Sequence, residues 1–126
     1  MVLLRDADWG YFTQVRGHAV APAELEDLLL GHQSVVDAAV IGIPHDYSGE
    51  VPRAFIVLRE DARKKYGYSL IEKELQELVQ AKKAKHKRLA GGVEFLSEIP
   101  KSSSGKILRR VLKDRWMEAS RENSKL

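Results

Sequence analysis

Two lysines flank a short stretch of serine and glycine near the C-terminal end of the chain, in Pro100-Lys101-Ser102-Ser103-Ser104-Gly105-Lys106. A short apolar run precedes this stretch, and an amphipathic pattern follows it. Serine and glycine favour a loop, so we expect Lys106 to lie on a mobile segment that is anchored at both ends. A cation held in this way can be delivered to a phosphate group.

Two other interpretations start from the same stretch. Ser103 or Ser104 can equally be the N-cap of the last helix, with Lys101 and Lys106 in solvent. A nucleotide-binding P-loop is excluded by its spacing. That motif needs a glycine where this chain has a proline, six residues before Lys106, and a hydroxyl where it has Ile107.

The elements that should position these lysines begin with a helix at Pro22, a residue suited to the first helical position. Glu24 and Glu26 favour the positive N-terminal end of a helix, and Gly31 can end it in a left-handed conformation. An apolar stripe with i, i+3, i+4 spacing is made by Leu25, Leu28 and Leu29. The stripe predicts that this helix packs on a sheet.

Three strands should form that sheet. The first two, Val35–Ile43 and Val51–Leu58, are rich in strand-forming residues, and a run of turn formers separates them, which favours adjacent antiparallel strands. The charged segment Glu60–Tyr68 is expected to be an exposed connection. A third strand is expected at Val93–Leu96, after a turn at Gly91-Gly92.

Two further helices complete the predicted fold. Ser69 followed by Glu72 is a capping-box pattern at the start of one helix, whose apolar face contains Ile71, Leu75, Leu78 and Val79. The last helix should run from about Ser104 and bury Ile107, Leu108, Val111, Leu112 and Trp116. The predicted fold class is α+β, with a small, mostly antiparallel three-stranded sheet packed with about three helices.

The composition excludes several classes of site. The chain has 126 residues, of which 44% are hydrophobic and 31% charged, as expected of one globular domain. No apolar run reaches the length of a membrane span. The absence of cysteine excludes a disulfide scaffold and thiolate chemistry, and the four histidines lack the spacing of metal ligands, so we expect no metal site.

A basic run, Lys82–Arg88, allows two interpretations. Clusters of this kind bind polyanions such as RNA. However, no aromatic residues interleave with the lysines for base stacking, and lysines near a helix C-terminus are favoured by the helix dipole. We therefore expect a solvated helix end and no nucleic-acid partner.

Three segments of the chain, in order, resemble one known family. They are Val15–Glu26, Val36–Pro44 with Gly49–Ala54, and Glu98–Arg110. The last closely resembles the Pro-Lys-x-x-x-Gly-Lys signature of the adenylate-forming acyl-CoA synthetases, aryl-CoA ligases and luciferases. Together the matches cover roughly residues 15 to 115. By this resemblance the chain is identified as a C-terminal (lid) domain of that superfamily, of the peroxisomal type.

The resemblance implies the reaction of an ATP-dependent carboxylic acid–CoA ligase, which forms an acyl-adenylate and then a thioester with coenzyme A. Lys106 matches the lysine that the family uses in adenylation, and Gly105 precedes it in the same motif. In the second step the turn matching Arg16, Gly17 and His18 is presented beside the channel for the pantetheine arm. ATP, coenzyme A and Mg²⁺ are implied for the complete enzyme, and none is expected to be held by this chain alone.

The resemblance also implies a domain organisation. Residues 1–14 look like an atypical remnant of the hinge or the large domain, because the family's hinge motif is absent. Residues 15–117 match the AMP-binding enzyme C-terminal domain, and residues 118–126 form a polar tail. The tail ends in Ser124, Lys125 and Leu126, a peroxisomal address that a soluble import receptor reads.

The large N-terminal AMP-binding domain is the partner that the resemblance implies. The chain has no phosphate loop of the large-domain type and no acyl pocket, so we expect it to be inactive alone, and the small carboxylic acid substrate cannot be named. Relatives often have lysine and glutamine where this chain has Gln14 and Ala19, which weakens the assignment of the thioester step. The alternative is a truncated, non-catalytic binding or regulatory module that docks on an intact ligase.

Overall fold

The computed structural model describes the backbone of residues 13–15, 18–46, 49–83 and 87–124, and the side chains of residues 20–46, 49–83 and 87–122. The strands are β1 (Thr13–Val15), β2 (His18–Val20), β3 (Val35–His45), β4 (Gly49–Leu58) and β5 (Val93–Phe95). The helices are α1 (Pro22–Leu30), α2 (Glu60–Tyr66), α3 (Tyr68–Lys82) and α4 (Arg109–Ser124). The predicted α+β class is confirmed.

Strand β4 forms the centre of the sheet. It pairs antiparallel with β3, from Val35 opposite Leu58 to His45 opposite Gly49, as the sequence predicts. Its other side pairs parallel with β5 and, at Gly49, meets the end of β1. Strands β3, β4 and β5 thus form the expected three-stranded sheet, and the antiparallel pair β1–β2 extends it.

Both faces of the sheet are covered, which explains why β3 and β4 are apolar almost throughout. On one face, α1 and α3 pack over a cluster that includes Leu25, Leu29, Val40, Ile56 and Leu75. On the other face, α4 and the segment before it cover a second cluster, which includes Ile41, Phe55, Ile99 and Leu112. Neighbouring residues of one strand alternate between the two clusters because successive side chains point to opposite faces.

The charged segment after β4 is exposed as predicted except at Ala62, but it forms a helix where the sequence predicted a connection. Helix α2 has Glu60 and Asp61 in its first turn and basic residues in its last turn, an arrangement that complements the helix dipole. Lys64 lies 3.5 Å from Glu60 one turn away, and Ala62 is buried against the core. Helix α2 lacks an apolar stripe. It is therefore stabilised by the positions of its charged residues and by the one apolar contact of Ala62.

Two predicted helix ends were also wrong. Gly31 follows α1 in a right-handed conformation (φ −75°), and its N–H is donated to the carbonyls of the last turn. The capping box at Ser69 and Glu72 does not form, since α3 already begins at Tyr68 and has no side-chain cap. Gly67, with φ +79°, makes the sharp turn between α2 and α3 and thereby sets this start.

Helix α4 begins at Arg109 and not near Ser104, because the preceding residues form a separate hydrogen-bonded turn. The burial predicted for its apolar residues is correct for Leu112, whose side chain is 1% exposed. It is wrong for Leu108 and Val111, which are 37% and 48% exposed. No helix in the described segments is both long enough and apolar enough to cross a membrane.

Candidate functional site

The stretch Lys101–Ile107, here called the lysine loop, forms a closed, hydrogen-bonded turn. Lys101 and Ile107 face each other in an isolated antiparallel bridge. Just outside them, the N–H of Leu108 is donated to the carbonyl of Pro100 at 3.0 Å. The two ends of the loop therefore lie side by side, and Lys106 occupies a defined position next to one of them.

Ser102 holds the inside of the lysine loop together. Its N–H is donated to the carbonyl of Lys106 at 2.9 Å, and its carbonyl accepts the N–H of Gly105 at 2.9 Å. Its hydroxyl accepts the N–H of Lys106 at 3.2 Å and lies 2.9 Å from the hydroxyl of Ser104. Ser104 is thus part of the turn, and neither it nor Ser103 is the N-cap of the last helix.

Gly105 is required by its backbone conformation. Its φ is +87°, a value that residues with a Cβ rarely adopt. A Cβ built at this position would have no atom within 4 Å, so crowding is not the reason for the glycine. The positive φ turns the chain back so that Lys106 meets Ser102.

The two lysines of the loop differ in their electrostatic environment. Lys101 Nζ lies 2.7 Å from Asp37 Oδ2, where the side chains are 37% and 27% exposed. Lys106 is exposed and has no ion pair within the described residues. Only Lys106 therefore offers an ammonium group whose hydrogen bonds are open to an incoming anion.

A second anchor fixes the chain just after the loop. Arg109 Nη1 donates a hydrogen bond to Glu26 Oε2 at 2.5 Å and to the carbonyl of Val40 at 2.8 Å. Glu26 Oε2 also accepts the N–H of Val40 at 2.8 Å. The side chains of the ion pair are only 10% and 8% exposed. Because α1 and α4 lie on opposite faces of the sheet, this pair joins the two layers around the edge formed by β3.

Sequence reasoning missed the partners of this second anchor. It treated Glu26 only as an N-terminal charge of the helix, whereas the residue is 6% exposed. A signal was present, because Glu26 lies three residues before Leu29 and hence on the apolar stripe. A carboxylate on a buried stripe needs a cation or N–H donors. Asp37, a charged residue within an otherwise apolar strand, gave a similar signal.

The other predicted site residues receive little structural description. Arg16 and Gly17 lie outside the described residues, and His18 is described only by its backbone, paired with Val15. Of the predicted targeting residues, Ser124 ends α4, while Lys125 and Leu126 lie outside the described residues. The residues from 118 to 124 of the polar tail continue α4.

The basic run is partly engaged within the domain. Lys83 and Lys87 both bind the carboxylate of Glu24 on α1, at 2.9 Å and 3.0 Å. These hydrogen bonds hold the pKa of Glu24 below its ordinary value of 4.5. Two lysines of the run thus neutralise an acidic side chain and are not part of an open cationic surface.

The described surface does not enclose Lys106. An open groove of about 570 Å³ lies between α4 and the segment before the loop, and Lys101 lines it but Lys106 does not. Within the described ranges, no three His, Asp or Glu side chains come together as a metal site. A phosphate that contacts Lys106 would therefore need further contacts from another surface.

The comparison with known proteins decides the family. Residues 24–106, more than half of the chain, match the model of the AMP-binding enzyme C-terminal domain. The chain belongs to this family. The match begins at Glu24 on α1 and ends at Lys106, so it takes in strands β3, β4 and β5 and the lysine loop up to Lys106.

The proteins that this AMP-binding C-terminal domain resembles are much longer than the chain. An acyl-CoA ligase of Purpureocillium lilacinum is 45% identical over 102 residues, which are 81% of this chain and 26% of the relative. An acyl-CoA synthetase of Brucella canis has a similar structure, with a TM-score of 0.78 and 29% identity over 94% of this chain and 20% of that chain.

A third similar protein was solved with its intermediate bound. It is an o-succinylbenzoate–CoA synthetase of Bacillus subtilis in complex with an acyl-adenylate, with a TM-score of 0.70 and 32% identity over 81% of this chain. This chain covers 19% of that protein. The chain thus spans about a fifth to a quarter of the length of the proteins that it resembles.

Proposed function

We propose that this chain is the lid of an ATP-dependent carboxylic acid–CoA ligase and that Lys106 is its adenylation lysine. The observation that carries the proposal is the contrast within the lysine loop: Lys101 is bound to Asp37, whereas Lys106 is exposed and has no ion pair within the described residues. A closed turn with one available cation is suited to deliver charge to a phosphate. Membership of a family whose enzymes use ATP and coenzyme A supports this role.

In the first step an oxygen of the substrate carboxylate attacks the α-phosphorus of ATP, and the bond to pyrophosphate breaks. This step brings two anions together, so an ammonium group between them both orients them and offsets their repulsion. At a separation of about 4 Å, one such attraction is worth on the order of 4 kcal/mol near a protein surface. Lys106 would make this contact with the carboxylate and an α-phosphate oxygen.

In the second step the thiol sulfur of coenzyme A attacks the acyl carbon, AMP leaves, and the thiol proton is lost. We propose that the turn containing Arg16, Gly17 and His18 lies beside the pantetheine arm in this step, as the resemblance implies. The Mg²⁺ that neutralises the phosphates would arrive with ATP. The identity of the acid depends on the large domain.

The partner that completes the site is a large AMP-binding domain. Lys106 does not line the groove described above, and the relatives are about four to five times as long as the segment that matches. We therefore propose that the isolated chain does not turn over ATP and a carboxylic acid. A non-catalytic module that docks on an intact ligase is the second candidate, favoured by the absence of the hinge motif.

The test is complementation. The chain is mixed with a large domain from a related ligase that lacks its own adenylation lysine, and acyl-hydroxamate is measured with ATP, hydroxylamine and a panel of fatty and aryl acids. Rescue that is lost with Lys106→Ala and kept with Lys73→Ala, a change at an exposed lysine of α3, supports the adenylation lid. A folded chain that binds the large domain without rescue supports the docking module.

The last three residues lead to a proposal about location. We propose that Ser124, Lys125 and Leu126 direct the protein to peroxisomes through the soluble import receptor. A fluorescent protein carrying residues 118–126 at its C-terminus should enter peroxisomes of a eukaryotic cell. Removal of the three residues should leave it outside, and import without them would contradict the proposal.

A further inference from the structure

One strand holds both ends of the lysine loop. Lys101, the first residue of the loop, is bound to Asp37 on β3 at 2.7 Å. Arg109, just after the loop, is bound to the carbonyl of Val40 at 2.8 Å, three residues further along the same strand. The position of Lys106 between these two points is therefore set from β3.

The carboxylate of Asp37 is itself held in place. While Oδ2 binds Lys101, Oδ1 accepts the N–H of Ala38 at 2.9 Å. The pairing of β3 with β4 is irregular between Val35 and Asp37, and such irregularities change the direction of a side chain relative to a regular strand. Asp37 is thus a fixed acceptor at the edge of the sheet.

The ion pair acts on Lys106 through a short path. Lys101 faces Ile107 across the loop, and Ile107 is bonded to Lys106 in the chain. Without Asp37, the first end of the loop would lose its contact with β3 and only the Arg109 end would remain attached. Lys101 would also become a second available cation, five residues from Lys106, which could bind phosphate in a non-productive position.

We propose that Asp37 is a positioning residue for Lys106, acting through Lys101. This inference rests on the proposed function, because it assigns the geometry needed for adenylation. Partly exposed ion pairs contribute little to folding, so substitution of Asp37 should leave the domain folded. A displacement of a reacting group by about 1 Å costs about a hundredfold in rate, so the effect should appear in catalysis.

The experiment measures ATP–pyrophosphate exchange by the chain mixed with the lysine-less large domain. We expect Asp37→Asn and Lys101→Met each to lower kcat about tenfold to a hundredfold, with a smaller change in the KM for ATP. The exchanged pair Asp37→Lys with Lys101→Asp should recover most of the lost kcat. The control is Asp61→Asn, which breaks the exposed pair of Asp61 with Arg59 and should leave kcat unchanged.

A wild-type kcat in folded Asp37→Asn would overturn the proposal, and so would a lowered kcat that the exchanged pair does not restore. A second measurement does not depend on activity. Amide hydrogen exchange at Lys106 and Leu108 should become faster in Asp37→Asn but not in Asp61→Asn. Exchange rates in Asp37→Asn equal to those of the wild type would overturn the positioning role. Failure of the proposed function would give a different result. The wild-type chain would then show no pyrophosphate exchange, while Asp37→Asn would still speed amide hydrogen exchange at Lys106 and Leu108.

Discussion

Arg109 and Glu26 form a buried ion pair although 83 positions separate them in the sequence. The pair connects the first turn of α4 with α1 and satisfies both backbone polar groups of Val40. It fixes where the last helix begins, and with it the end of the lysine loop.

Substitution of this pair should strongly affect stability. Glu26→Ala leaves the Arg109 guanidinium buried without its carboxylate, which typically costs about 3–5 kcal/mol in the free energy of unfolding. Urea denaturation followed by circular dichroism measures this cost. The double substitution Glu26→Met with Arg109→Met should recover part of it because no charge remains buried. A loss below about 1 kcal/mol in Glu26→Ala, typical of an exposed pair, would contradict the structure.

Glu24 should contribute to the pH dependence of stability. Hydrogen bonds from Lys83 and Lys87 lower the pKa of its carboxyl in the folded state. A lowered folded pKa stabilises the protein above the ordinary pKa of 4.5, and this stabilisation is lost as the pH falls through the folded pKa. Thermal unfolding between pH 7 and pH 3 should therefore show a steeper loss of Tm in the wild type than in Glu24→Gln. Parallel curves would contradict this assignment.

A second carboxylate should behave in the same direction. Burial raises the pKa of Glu94, but hydrogen bonds from Arg53 and Arg115 outweigh it and leave the pKa below 4.5. Glu94→Gln should therefore also flatten the acid limb of the stability curve. The double variant with Glu24→Gln should flatten it further, since the two carboxylates have different partners. An unchanged acid limb in Glu94→Gln would show that its two arginines do not outweigh burial.

Two glycine substitutions should differ in their cost. Gly105→Ala introduces strain from a φ of +87° but no collision, so we expect a loss of about 1–2 kcal/mol. Gly91→Ala should cost more, because its Cβ would lie 2.8 Å from the carbonyl oxygen of Pro52. Chemical denaturation of both variants measures the difference. A larger loss of stability in Gly105→Ala than in Gly91→Ala would mean that the lysine loop is more crowded than it is in the structure.

Lys106→Ala should separate activity from stability. The side chain is exposed, so its removal should change the free energy of unfolding by less than about 0.5 kcal/mol. Pyrophosphate exchange with the large domain should fall about a hundredfold to a thousandfold, as when other transition-state donors are removed. On one preparation, thermal denaturation measures the change in stability, and the kinetics of pyrophosphate exchange measure the change in activity. Equal activity with and without the ammonium group would remove Lys106 from the mechanism.

The elements that sequence predicts well are those with a repeated local pattern. Strands β3 and β4 were predicted with their antiparallel pairing because apolar runs flank a segment of turn formers. Pro22 marked the first residue of α1 correctly. By contrast, α2 has no apolar stripe, and the start of α3 is set by the positive φ of Gly67, which outweighs the capping-box pattern.

The residues of the candidate site also differ in how well the sequence predicts them. The lysine loop was found from residue types alone, because Ser, Gly and Lys at this spacing are adjacent in the chain. The residues that hold it, Asp37 and Glu26, come from elements far away in sequence. The pattern of a single segment can show that a charged residue such as Glu26 needs a partner, but it cannot show which partner, since that depends on how β3, α1 and α4 meet.

The ion pair of Glu26 and Arg109 has a further consequence for the behaviour of the protein at high concentration. Within the described sheet β3 is an edge strand, and edge strands can add strands from other molecules. The two side chains occupy the backbone N–H and carbonyl of Val40 that an added strand would use. The contact that fixes the lysine loop thus also protects the domain against edge-to-edge aggregation.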